Sequence, residues 1–229
     1  MTDSLGRGAG VAIAIATGVV IVAVSLVPFL NPIWIAFEQG RAGSGELTGY
    51  SPDQLRQATD GIVADLVFGP PAFDVAIGGE PVLNERERGH MRDVRSVFAG
   101  FGALALGSVA IVTGGWLAAR RSAPRREGFR RAVRAGATGL ALGVAGAGVV
   151  SVVAFDAMFE LFHRIFFSGN YTFDPRSERL VQLFPLRFWS ETAVAVGVVI
   201  LVVALGVRVA ARPRATTRAA SAVPMEAAG

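Results

Sequence analysis

The chain has 229 residues, of which 52% are hydrophobic, with a mean hydropathy of +0.49 and a formal net charge of +4. It contains no cysteine, which excludes disulfides, thiolate zinc sites and thiol nucleophiles. All 22 basic residues are arginine, but they cluster beside apolar segments. We therefore predict a membrane protein that binds no nucleic acid.

Four apolar segments, each near the roughly 20 residues that a bilayer requires, predict four transmembrane helices. They run from about Val11 to Leu30, from Val97 to Ala119, from Ala135 to Phe155 with an amphipathic extension to Phe167, and from Phe188 to Val207. The predicted fold class is an all-α membrane protein. We expect a single transmembrane domain over residues 1–210 and a disordered tail over residues 211–229.

The distribution of arginine predicts how the chain is oriented. One group of arginines lies between the second and third segments, and another follows the fourth: Arg120, Arg121, Arg125, Arg126, Arg130, Arg131 and Arg134, then Arg208, Arg212, Arg214 and Arg218. Under the positive-inside rule both groups, and so both termini and the tail, are cytoplasmic. Alternatively, the arginines between the second and third segments could bind anionic lipid heads, although orientation alone explains them. Residues 31–95 carry six arginines against ten acidic residues. We place that segment outside a multi-pass protein of the cell membrane.

Residues 33–84 are predicted to form a small extracytoplasmic head. Residues 51–54 (Ser-Pro-Asp-Gln) have the form of a capping box with proline at the first helical position, and an amphipathic helix follows. Residues 73–77 alternate large apolar with smaller or polar side chains before a glycine pair, which predicts a short hairpin. A second outer loop, residues 168–187, is expected to hold a helix capped by Asp174 that lies along the membrane interface.

The chain has two histidines, each three residues after a glutamate, in Glu87-x-x-His90 and Glu160-x-x-His163. Both stand roughly 10 to 12 Å beyond the apolar part of a predicted helix, at its outer end. Two neighbouring antiparallel helices can bring such imidazoles face to face. Histidine titrates near ambient pH and can move protons or bind metal. His90 and His163 are therefore the candidate catalytic residues.

Carboxylates within about two turns of these histidines are candidate supporting residues: Glu87, Asp93, Asp156 and Glu160. On the third helix the last two share one face with His163, because the three recur at i, i+4 and i+7. Asp93 can hold the His90 imidazole in one tautomer, whereas Glu87 can instead cap its helix together with Asn84. Three ionisable groups at one membrane helix end favour a functional role, since burying each costs free energy.

Two other functions remain open. Adding Glu38 and Glu191 to the two Glu-x-x-His pairs gives the ligand count of a di-iron four-helix site, so a metal or redox protein is one alternative. Against it, Glu38 lies beside Gly40 in a predicted loop, and the chain order differs from the ferritin pattern. A non-catalytic membrane interaction protein is the other alternative. For the preferred reading we expect no metal and no cofactor.

Several motifs together carry a family resemblance: Glu87-Arg-Gly-His90-Met-Arg-Asp93-Val94, Phe155-Asp156, Phe162-His163-Arg-Ile-Phe-Phe167, Phe173-Asp174-Pro175 and Leu183-Phe184-Pro185. With these motifs the chain resembles the lipoprotein intramolecular transacylase (Lit) family. The resemblance implies a histidine-dependent membrane enzyme that moves the sn-2 acyl chain of a diacylglyceryl-cysteine lipoprotein onto its own α-amino group. The product is a lyso-form lipoprotein, and the family's two histidines match His90 and His163.

The residue chemistry agrees with this implied reaction. An α-ammonium has a pKa of about 7.7 to 8.0 and a histidine about 6.5, so an imidazole can take the amine proton at modest cost. We expect His90, held by Asp93, to act as the base and His163 as the acid toward the departing oxygen. Asp156 and Glu160 are expected to support His163 or to pair with the substrate ammonium. The expected partners are the diacylglyceryl-cysteine N-terminus of a lipoprotein and membrane lipids.

Overall fold

The computed structural model describes residues 6–167 and 171–212. Within them the helices are α1 Arg7–Leu26, α2 Pro32–Ala42, α3 Ser44–Thr48, α4 Pro52–Val67, α5 Glu85–Ala119, α6 Ala123–Phe166, α7 Arg179–Leu183 and α8 Leu186–Ala210. A 3-10 turn, Val27–Leu30, follows α1, and an antiparallel hairpin is formed by β1 Ala76–Ile77 and β2 Glu80–Pro81. The predicted tail falls almost wholly on residues 213–229, which lie outside the described residues.

Four helical segments of the described chain are long and apolar enough to cross a membrane: Arg7–Leu30, Glu85–Ala119, Ala123–Ser151 and Leu186–Ala210. They confirm the four predicted spans. Most of their apolar side chains face outward, as expected for helices surrounded by lipid. The helix α1 packs against α5 and α6, and α6 packs against α8. The chain is thus a helical, multi-pass membrane protein.

The centre of the bundle is built where α1, α6 and α8 meet. Its buried residues are Ile21, Ala137, Ile200 and Ala204. The closest approach is between α1 and α6, where a Cβ placed on Gly136 would lie 2.1 Å from the backbone oxygen of Ala14. Small residues at such crossings let helix backbones approach closely in membranes. Glycine is therefore required at position 136.

The segment between α1 and α5 forms a head with its own core. The helix α4 begins with the predicted capping box, in which Ser51 accepts a hydrogen bond from the Gln54 amide and the Gln54 side chain accepts one from Ser51. The predicted hairpin is also present, with Gly78 and Gly79 at positive φ in its turn. Phe73 is completely buried at the centre of this core. Its neighbours include Ile62, Leu83 and Leu183.

Residues 171–187 differ from the structure predicted for them. Asp174 caps no helix and instead closes a turn, with its carboxylate accepting from the Arg176 amide at 3.0 Å. The helix α7 begins only at Arg179 and is five residues long. Its residues Leu180 and Leu183 are buried in the head core and not at the lipid interface. Burial against the head removes more apolar surface from water than an exposed interfacial position would.

The long helix α6 is kinked before the segment that carries His163. Ala154 has φ −145° and ψ 40°, which lie outside the helical region. The last turns, residues 155–166, therefore leave the rest of α6 at a different angle. The predicted amphipathic extension is present, but as a separate helical piece.

Candidate active site

The structure brings the two histidines together. The ring centroids of His90 and His163 are 6.0 Å apart, and the ring planes are inclined by only 20°. His90 lies in the second turn of α5, and His163 lies in the last turn of α6. Two imidazoles at this separation can contact two different atoms of one small ligand. This is the juxtaposition that the sequence predicts.

Glu87 fixes the start of the helix that carries His90. Asn84 and Glu87 form a capping box, with the Asn84 amide donating to Glu87 Oε2 at 2.7 Å. The other oxygen, Oε1, accepts from the backbone N–H of Leu180 at 2.7 Å. The side chain of Glu87 is fully buried, with 1% of its surface exposed. Glu87 is thus a positioning residue that joins α5 to α7, three residues before His90.

His90 is enclosed by aromatic rings. Its centroid lies 4.8 Å from that of Phe167 and 5.2 Å from that of Phe173, both at steep angles. Only 6% of the residue is exposed, and its Nδ1 atom is buried without a hydrogen-bond partner among the described residues. Buried polar atoms in folded proteins nearly always have a partner, so this nitrogen is available to a water molecule or a ligand. His90 therefore retains a free hydrogen-bonding position in an apolar setting.

His163 is held by its own helix and is more exposed. Its Nδ1 lies 2.7 Å from the backbone oxygen of Phe159. A carbonyl oxygen can only accept, so Nδ1 carries the proton, and in the neutral ring Nε2 keeps a free lone pair. The rings of Phe159 and Tyr171 lie 4.3 and 5.6 Å from the His163 ring. The geometry leaves one defined acceptor atom on His163.

An ion pair organises the loop that lies beside His90. Glu178 pairs with the Arg86 guanidinium and accepts from the backbone of Asp174 at 2.6 Å. Burial alone raises the pKa of Glu178, but Arg86, the Asp174 N–H and the Asn84 amide outweigh it and lower the pKa. Arg86 also stacks over the ring of Phe173 at 4.7 Å. The pair therefore holds the ring that packs against His90.

The other predicted supporting carboxylates lie on the surface. Asp93 is exposed and makes no hydrogen bond to His90 in the described part of the chain, and Asp156 is exposed as well. Glu160 is exposed and pairs with Arg164 at 2.6 Å. The structure thus brings His90, His163 and Glu87 into one region. It leaves the remaining three carboxylates outside the space between the rings.

The six residues of the di-iron alternative do not converge. Glu38 lies on the helix α2 and not in a loop, where it is buried beside the Arg41–Glu191 pair. Burial and the neighbouring Glu191 carboxylate raise the pKa of Glu38. Among residues 6–167 and 171–212, no three histidine, aspartate or glutamate side chains are grouped as metal ligands would be. Among the described residues, the four-carboxylate site of this alternative is therefore not formed.

Sequence reasoning missed the aromatic residues that surround the histidines. Phe167, Phe173 and Tyr171 come from the end of α6 and the outer loop, and nothing in their spacing marks them as neighbours of His90 or His163. The available signals were the resemblance motifs, which contain Phe167 and Phe173, and the stripe of phenylalanines on α6, to which Phe159 and Phe162 belong. Phe162 contacts His163 with centroids 5.5 Å apart, so part of that stripe does line the site.

Known proteins share both sequence features and architecture with this chain. The family model of the lipoprotein intramolecular transacylase Lit matches residues 10–189. An in meso structure of the membrane integral Lit from Bacillus cereus matches with a TM-score of 0.76 and 18% identity, covering 89% of this chain and 93% of that chain. Two forms of Bacillus cereus Lit, with a histidine replaced by arginine or by alanine, each match with a TM-score of 0.70 and 19% identity. They cover 90% of this chain and 90% and 91% of their own. No curated protein matches the chain in sequence.

The structural likeness shows that the fold is shared, including the four long apolar helices. The family match extends from the first span to the start of the fourth and includes both histidines. The chain therefore belongs to the lipoprotein intramolecular transacylase (Lit) family of membrane acyl-transferring enzymes.

Proposed function

We propose that this protein moves the sn-2 acyl chain of a diacylglyceryl-cysteine lipoprotein onto the α-amino group of the same cysteine, giving a lyso-form lipoprotein. The observation that carries the proposal is the pair of histidine rings, 6.0 Å apart in an aromatic setting at one end of a membrane bundle. The reaction requires a base at the amine nitrogen and an acid at the departing glyceryl oxygen of the same substrate. Two adjacent imidazoles meet that need.

The reaction balances with these two groups alone. One imidazole takes a proton from the α-ammonium, and the freed amine attacks the carbonyl carbon of the sn-2 ester. A C–N bond forms, and the attacking nitrogen gives its second proton to the other imidazole. That imidazole passes the proton to the departing glyceryl oxygen as the ester C–O bond breaks, and the first imidazole releases its proton to water. Amine and ester belong to one molecule, so holding it in a bent conformation supplies much of the acceleration. No acyl-enzyme is required.

The hydrogen bonds favour one assignment of roles. The Nδ1 proton of His163 is held by the Phe159 carbonyl, which leaves Nε2 as a fixed acceptor and supports His163 as the base. His90 is then the acid toward the glyceryl oxygen, in an apolar setting where a hydrogen bond to developing charge is strong. This reverses the assignment proposed from the sequence, which depended on a contact between Asp93 and His90.

The surroundings fit a substrate that is part lipid. Phenylalanine rings next to both imidazoles, such as Phe162 and Phe167, offer apolar contact for acyl chains at the reacting ester. We place this site on the extracytoplasmic face, with both termini in the cytoplasm. The support is the dense arginine group at the other end of α5 and the acidic balance of residues 31–95.

The test is mass spectrometry of lipoprotein N-termini from cells that lack any other N-acylation enzyme. Wild-type protein is expected to yield lyso-form peptides, and His90→Ala and His163→Ala are each expected to yield only diacylglyceryl peptides. Arg164→Gln is the matched control, because it alters the exposed neighbour of His163 and should keep the product. If either histidine variant made normal amounts of lyso-form at equal expression, the proposed chemistry would be wrong, and a non-catalytic role would be favoured.

A further inference from the structure

A cavity lies at the end of the bundle that is far from the histidines. It has a volume of about 340 Å³ and opens between the end of α5, the start of α6 and the end of α8. The residues that line it are of two kinds, apolar and cationic. They include Trp116, Phe129 and Val207 on the one hand and Arg120, Arg126 and Arg130 on the other. Small-molecule sites are commonly of this size and mixed lining.

Within the described residues, the three arginines of this cavity have no anionic partner. In residues 6–167 and 171–212 no carboxylate lies within ion-pair distance of Arg120, Arg126 or Arg130. Two of them are nevertheless held in place. Arg126 donates to the backbone oxygen of Arg120 at 3.2 Å, and the Arg120 guanidinium lies 4.8 Å from the centre of the Trp116 ring. The cavity thus presents ordered positive charge without a counter-charge.

From this combination we propose that the cavity binds the phosphate headgroup of an anionic phospholipid. Guanidinium groups match phosphate oxygens with paired hydrogen bonds. The aromatic and aliphatic wall, with Trp116 and Val207 near the ends of two membrane spans, gives the acyl chains a surface to follow. A free phosphate ion would gain nothing from that wall. The ligand is therefore a lipid of the surrounding bilayer.

Positive charge near a membrane attracts anionic lipids in general, so binding in the cavity must be distinguished from this general attraction. Arg121, Arg131 and Arg134 belong to the same arginine group but do not line the cavity. They provide a matched set with the same number of charges. The cavity is also remote from the chemistry, because 29 residues of α5 separate His90 from Ala119, which is about 44 Å of helix.

The experiment uses the fluorescence of Trp116 in the full-length protein. Trp34→Phe and Trp189→Phe leave Trp116 as the single tryptophan, since the chain has three. The protein is reconstituted in phosphatidylcholine vesicles that contain increasing amounts of phosphatidylglycerol brominated on its acyl chains. Brominated phosphatidylcholine is the neutral comparison. We expect phosphatidylglycerol to reach half-maximal quenching at a mole fraction at least about tenfold lower, given three arginines near the phosphate.

The variants decide between a site and a charged surface. Replacing Arg120, Arg126 and Arg130 by Gln should abolish the preference, whereas replacing Arg121, Arg131 and Arg134 by Gln should keep it. Equal loss in both triple variants, or equal quenching by both lipids, would overturn the proposal. So would displacement of the brominated lipid by inorganic phosphate alone. Native mass spectrometry of the protein with all three tryptophans, counting bound phosphatidylglycerol, gives a second readout if the double Trp→Phe form folds poorly.

Discussion

Glu87 offers the sharpest test of how this fold holds its site. Replacing Glu87 by Ala removes the acceptor of two backbone N–H groups, those of Asn84 and Leu180. A buried donor left without a partner costs about 1–3 kcal/mol, and loss of the helix cap adds about 1 kcal/mol. The Leu180 N–H is the buried donor and the Asn84 N–H belongs to the cap, so the expected destabilisation is about 2–4 kcal/mol. In a protein of this length we expect the Tm to fall by about 4–16 °C.

The measurement is thermal unfolding of the purified protein in detergent, followed by helical circular dichroism and tryptophan fluorescence. Glu87→Gln should lose less than Glu87→Ala, because its amide oxygen can still accept one of the two N–H groups. Glu85→Ala is the matched control on the same helical turn, since the Glu85 side chain is 72% exposed and pairs only with surface arginines. A Tm for Glu87→Ala no lower than that of Glu85→Ala would refute the argument. Lyso-form production should fall with Glu87→Ala even at temperatures where the protein remains folded, because His90 loses its anchored helix start.

Three further expectations concern packing and pH. Gly136→Leu should prevent α1 from packing against α6, because the leucine side chain would meet a backbone carbonyl of α1. The folded protein peak should then be lost on size-exclusion chromatography in detergent. Gly139→Leu should keep that peak, because no atom lies near the position of its Cβ. The lowered pKa of Glu178 contributes stability that is fully present above the ordinary glutamate pKa and is lost as pH falls from that value through the lower folded-state pKa. Tm should therefore drop over that interval, and Glu178→Gln should remove this part of the pH dependence. The raised pKa of Glu38 has the opposite sign, because its stabilisation is lost as pH rises through the folded-state pKa. Glu38→Gln should therefore raise Tm at neutral pH relative to wild type; a lower Tm would contradict the reasoning.

The features that sequence predicted best depend on local rules. The capping boxes at Ser51 and Asn84 are read from residues three apart, and both are present. The four spans follow from apolar length alone. The meeting of His90 with His163 needed one more step, namely that two consecutive antiparallel helices are neighbours. That step succeeded because each histidine stands at a similar distance beyond its apolar segment.

The features that sequence missed depend on contacts between distant parts of the chain. Glu87 bonds to Leu180, 93 residues away, and no local pattern signals that an outer loop supplies this partner. Helical periodicity correctly put Asp156 and Glu160 on the face of His163, yet it could not show that both carboxylates are exposed there. Tertiary packing, which propensity does not encode, decided both cases.

Because α6 is kinked at Ala154, the two imidazoles are attached to the helical bundle in different ways. His90 stands on a helix that continues from the head to the far end of the bundle, so any tilt of that rod carries the ring with it. His163 stands on a short arm of residues 155–166 beyond the kink at Ala154. A different backbone angle at Ala154 would therefore move the His163 ring relative to His90 while α5 stays in place. In the proposed reaction, the gap between the imidazoles then depends on one backbone position in α6 and on the tilt of α5.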